Sequence, residues 1–86
     1  MKVPYNICIS FEYGSHDRTH VNYIKVLLEK LLELQYSFDA EEKEFNFIVD
    51  SDATLSRLFC LLADAYDSFN VRTWESQPDT ICIEIQ

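Results

Sequence analysis

From residue 3 to residue 13 every odd position is apolar: Val3, Tyr5, Ile7, Ile9, Phe11 and Tyr13. The even positions carry Pro4, Asn6, Cys8, Ser10 and Glu12. Successive side chains of a strand point to opposite faces, so this period predicts a strand with one face buried and one open. The same alternation returns at Phe45, Phe47 and Val49, and at Ile81, Ile83 and Ile85. Three half-buried strands need a sheet with one covered face, and a second layer to cover it.

The intervening segments supply that layer. Between residue 18 and about residue 36, Val21, Ile24, Leu28, Leu31 and Gln35 follow a three-four spacing, with Leu27, Leu32 and Leu34 widening the stripe. Ser15 or Asp17 offers an N-cap. A second amphipathic helix is expected from Leu55, Leu58, Phe59, Leu62, Tyr66 and Phe69, capped by Ser51 or Asp52. Residues 37–40 read as a short extended piece before a polar hairpin at Glu41, Glu42 and Lys43. Residues 70–75 read as a strand, followed by a turn at Ser76, Gln77, Pro78 and Asp79.

The expected fold is therefore α+β. It is a ferredoxin-like split β-α-β sandwich of order βαββαβ, its last strand single or doubled into a hairpin, with two helices on one face of an antiparallel sheet. The helices would cover Ile7, Ile9, Phe47, Ile81 and Ile83. The other face would show Asn6, Cys8, Ser10, Asn46, Ile48, Thr80 and Cys82, a neutral surface suited to a partner or a second copy.

Residues 43–50, Lys-Glu-Phe-Asn-Phe-Ile-Val-Asp, resemble the third-strand motif of RNA recognition motif domains, which share this element order. The resemblance implies that Phe45 and Phe47 stand on the open face and stack bases. Glu44, Asn46 and Asp50 depart from that motif, and the alternation assigns both phenylalanines to the core.

With 86 residues the chain is expected to form one domain, 1–86. A single glycine, Gly14, is incompatible with Gly-rich phosphate loops and G-x-S-x-G elbows. Cys8, Cys60 and Cys82 make no C-x-x-C, and mid-strand or mid-helix positions suit small half-buried hydrophobes. His16 and His20, four apart with Asp17 or Glu12 near, are the weak candidates for a metal site, and solvent-facing histidines at a loop–helix junction are the plainer reading. The opening residues lack a leader's apolar stretch, and no apolar run approaches a membrane span, so a reducing cytoplasm is expected.

The charge is uneven. The net charge is −8. Residues 1–38 balance, whereas residues 39–86 carry eleven acids against Lys43, Arg57 and Arg72. Such a field repels nucleic acid and anionic membranes and attracts basic protein surfaces. The expectation is a binding protein and no enzyme, with no cofactor and no resident metal. It would be an inhibitor docking on a basic surface of a nucleic-acid-handling partner, its carboxylates standing in for phosphates, as in an anti-CRISPR-like phage antagonist or an immunity-type inhibitor of a nuclease toxin. The contact residues would be Asp39, Glu41, Glu42, Glu44, Asp50 and Asp52, with Asp64, Asp67, Glu75 and Asp79 as a second set. Trp74, Tyr36 and Tyr66 would be anchors at the rim. The alternative is a homo-oligomeric scaffold or regulatory domain, a homodimer in the simplest case, pairing through the open sheet face.

Overall fold

A computed structural model describes residues 4–12 and 18–86. Strand β1 (Tyr5–Phe11) leads to helix α1 (Arg18–Val26), which runs on into a π-helical turn (Leu27–Leu31). Strands β2 (Tyr36–Asp39) and β3 (Glu44–Val49) form a hairpin. Helix α2 (Asp52–Ala65) and a second hairpin, β4 (Phe69–Trp74) and β5 (Gln77–Ile85), complete the chain. Val3, Tyr13 and the expected caps Ser15 and Asp17 lie outside the described residues.

The five strands form one sheet in the order β2-β3-β1-β5-β4. The expected split β-α-β is present in the first half: β3 lies between β1 and β2 and is antiparallel to both. The second half departs from the ferredoxin-like order. The strand after α2 does not take the place beside β1. Its hairpin partner β5 does, and runs parallel to β1, so the sheet is mixed and not antiparallel throughout. Burial decides between the two strands. Strand β5 brings Ile81, Ile83 and Ile85, all buried, whereas β4 has only partly buried Phe69 and five exposed residues, and is left at the edge.

One continuous core joins the covered face of the sheet to the helices. Ile7, Ile9, Phe45, Phe47, Val49, Ile81 and Ile83 meet Ile24, Leu27, Leu28, Leu58 and Leu62. Phe45 and Phe47 are thus core residues, and the base-stacking platform implied by the resemblance is not formed.

Both helices end earlier than the apolar spacing suggests. After Val26 the backbone widens, and the Leu32 N–H donates to the Leu27 carbonyl five residues back (3.0 Å). Glu33 then adopts a left-handed backbone (φ 53°), and the Leu34 N–H closes on the Leu28 carbonyl (2.8 Å). This is a C-terminal cap of the kind glycine usually serves, here built without one. Helix α2 is started by Ser51, whose hydroxyl accepts from the Thr54 N–H (3.1 Å). It stops when Tyr66 turns extended, its N–H bonded to the Leu62 carbonyl (2.9 Å). Phe69 therefore opens β4 instead of ending the helix. It still packs on Phe59, with ring centroids 6.4 Å apart.

Candidate functional site

Among the described residues, the alternation leaves one side of the sheet without a covering element. In register across it, Ser37 stands opposite Asn46, Asn46 opposite Cys8, Cys8 opposite Cys82 and Cys82 opposite Arg72. A parallel row places Ile48 opposite Asn6 and Asn6 opposite Thr80. This is the open face expected from the sequence, extended by Ser37, Arg72 and Glu84. The parity of Glu84 with Cys82 already marked it. Arg72 needed knowledge of how β4 pairs.

Two recesses occupy the β2–β3 side of this face. The larger, about 670 Å³, is lined by Asn6, Cys8, Ser37, Ile48, Asp50 and Thr80, among others. The second, about 620 Å³, is lined by Ser37, Asn46, Phe38, Asp39, Ala40 and Glu41. They share Ser37 and Asn46, and so form a shallow trough along β3. Ile48, 58% exposed, is the main exposed apolar side chain of the larger recess, two residues before Asp50. Asp50 lies at one end, and Asp39 and Glu41 lie at the other. Strand β3 spans ~20 Å at ~3.4 Å per residue, which sets the separation of the two acidic ends.

The structure does not gather the expected acidic residues into one patch. Asp39, Glu41, Glu42 and Glu44 cluster at the β2–β3 turn. Asp50 and Asp52 lie at the opposite end of β3, where α2 begins. Asp64 and Asp67 stand where α2 finishes, at the same end of the sheet as the β2–β3 turn. Trp74, Glu75 and Asp79 belong to the β4–β5 hairpin at the other end. Each proposed set is thus divided between the two ends of the sheet. A strand carries sequence neighbours far apart, and spacing along the chain does not reveal that.

Within the turn the acids differ in their work. The Asp39 carboxylate accepts from the N–H groups of Glu41 (2.9 Å) and Glu42 (3.2 Å), which holds the turn as Lys43 passes through a left-handed backbone (φ 52°). The Glu44 carboxylate accepts from the Asn46 side-chain amide (3.2 Å). No such bond engages the Glu41 or Glu42 carboxylates, and both side chains are exposed.

The expected anchors divide as well. Tyr36 faces the helices, packs on Phe45 (centroids 5.5 Å apart) and donates its hydroxyl proton to Glu29. That bond, then burial and the charge of Glu29, push the Tyr36 hydroxyl up to about 12. Tyr66 lies against the rings of Tyr23 and His20, its hydroxyl buried, and ties α1 to the end of α2. Both are half-buried, and Tyr36 also lines the larger recess. Trp74, 43% exposed, remains available at the edge.

Tyr36 gives a pH signature. A tyrosine titrates near ~10 in the unfolded chain, so between that pH and about 12 the folded form holds a proton that the unfolded form has lost. Its contribution to stability is complete below the unfolded value and is lost as pH rises through the folded one. In an absorbance titration of the phenolates, Glu29→Gln is expected to move one tyrosine to lower pH. An unchanged curve would show that the Glu29 charge does not hold the proton.

Cys8 and Cys82 are half-buried as expected, whereas Cys60 is exposed, because it falls between the buried Leu58 and Leu62 on the outward side of α2. His16 and Asp17 lie outside the described residues. No group of three or more His, Cys, Asp or Glu side chains among the described residues is placed to hold a metal. No helix is long and apolar enough to cross a membrane among the described residues. Comparisons with protein-family models, curated proteins and solved structures find no match.

Proposed function

We propose that the chain is a protein-binding module that takes a basic, extended segment of a partner along the trough beside β3. One observation carries this reading: an exposed isoleucine in the trough, between carboxylates at both ends. A neutral centre with a charged rim is the common anatomy of a protein interface. The matching segment has an aliphatic side chain at its centre and Lys or Arg on both sides, spread over about six residues at ~3.4 Å each. Proteins that handle nucleic acid carry such cationic segments. On one of them the carboxylates would take the place of phosphates and the chain would act as an inhibitor.

Two features favour this over pairing with a second copy. Both ends of the trough are acidic, so a two-fold overlay of the trough on itself sets carboxylates against carboxylates, end to end or end to opposite end. The end of α2 also lacks a basic residue in its last turn and carries Asp64 there, against the helix dipole. A local rule broken in this way is typical of surfaces under another demand.

The test uses a synthetic peptide with Lys-Arg pairs flanking a central Leu. Glu41→Gln combined with Glu42→Gln removes two charges and leaves the turn, which Asp39 holds. Association of the peptide is expected to slow several-fold at low salt, and its salt dependence to flatten. Equal rates and equal slopes would remove this end of the trough from the interface.

A further inference from the structure

Cys8 and Cys82 are direct register partners in the parallel pairing of β1 with β5. Each alternates with core-facing isoleucines, so both thiols emerge on the open face, half-buried. Cys82 and Glu44 are the titratable neighbours of the Cys8 thiol. Neighbouring strands lie ~4.8 Å apart, and disulfide-bonded residues have Cα separations of ~4.4–6.8 Å. The register therefore sets a Cα separation within the range that disulfides span. Cys60, on the outer side of α2, has no such partner in the register of the sheet.

We propose that Cys8 and Cys82 are a redox-active dithiol that closes to an intrachain disulfide on exchange with a small disulfide such as oxidised glutathione. The Cys82 thiolate attacks one sulfur of oxidised glutathione. A Cys82–glutathione bond forms, the glutathione disulfide bond breaks, and the first glutathione leaves as a thiolate that takes up the Cys82 proton from solvent. The Cys8 sulfur then attacks Cys82 and expels the second glutathione, which takes up the Cys8 proton. Two protein thiols are oxidised and one glutathione disulfide is reduced to two thiols.

The order of the two steps follows from the surroundings. Burial, with Cys82 and Glu44 beside it, holds the Cys8 thiol protonated, so the first attack falls to Cys82. Cys8 lines the larger recess, so the bridge forms on the floor of the trough. The inference does not depend on what the trough binds.

The native protein, incubated with oxidised glutathione and then alkylated, is expected to yield a linked peptide pair containing Cys8 and Cys82, with the exposed Cys60 recovered unlinked, as a free thiol or a glutathione adduct. In Cys60→Ser the mass should fall by two hydrogens, and the rate should rise with pH. Cys8→Ser is expected to stop at a glutathione adduct on Cys82, and Cys60→Ser to close the bridge like the parent chain. Three free thiols after oxidation, or a bridge that includes Cys60, would overturn the proposal. Because the principal reading is made on the unmodified chain, it stands even if a serine variant fails to fold.

Discussion

Phe45→Ala is expected to remove about 3–5 kcal/mol of stability, the range for deleting a fully buried phenylalanine. Phe45 is 0% exposed and lies at the meeting point of three strands. Its ring centroid is 4.6 Å from that of Phe38, 5.5 Å from that of Tyr36 and 6.5 Å from that of Phe11. Lys25 of α1 lies over the Phe38 ring, 4.8 Å from its centroid, so the cluster also fastens the helix to the edge of the sheet. Removing the ring leaves a cavity that neighbours on three strands cannot fill together. At ~0.05–0.15 kcal/mol per residue, a domain of this size has about 4–13 kcal/mol in total. The variant should therefore lose between a quarter and all of its stability, with a matching fall in the urea midpoint. A loss below ~1 kcal/mol, the usual outcome at a surface site, would mean that Phe45 does not face the core.

Ile48→Asp is expected to do the opposite: little to the fold and much to binding. Ile48 is one residue from the core-facing Phe47 and Val49, yet it is 58% exposed. Its substitution should cost about 1 kcal/mol or less in stability, the span of strand preferences. On the proposed reading it is the apolar contact between the two acidic ends. A charge there leaves a partner's aliphatic side chain against a carboxylate. Central contacts of this kind typically carry ~2 kcal/mol or more of binding, so affinity for the basic peptide should fall by about 30-fold or more. The two substitutions thus separate the faces of the sheet. Phe45 reports on the fold, and Ile48 reports on the surface that the fold presents.

The faces were legible because alternation is a local property. The sequence alone assigns Ile7, Ile9, Phe47, Ile81 and Ile83 to one side, and Asn6, Cys8, Asn46 and Cys82 to the other, and the structure agrees. Strand order was not legible, because it is decided by competition between β4 and β5 for the place beside β1. The winner is the strand with three buried isoleucines. Helix ends were misjudged for a different reason. Apolar spacing continues through Leu31, Leu32 and Leu34, while the helix is ended by the backbone at Glu33, a residue type that does not announce a left-handed turn. The candidate site was half visible. Ile48 and Asn46 could be placed on the open face, but the acidic residues could not be sorted. Asp39 ties down its own turn, and Asp50 is carried to the far end of β3. What had read as one patch became the two ends of a trough.

The most direct test of the trough is an amide-resolved NMR titration of the protein with the Lys-Arg-flanked peptide, at low and at high salt. The expected result is shifts confined to Ser37, Asp39, Glu41, Asn46, Ile48 and Asp50, weakened by salt and lost in Ile48→Asp. Shifts spread around the whole acidic surface, or centred on the β4–β5 hairpin with Ile48 unmoved, would contradict it.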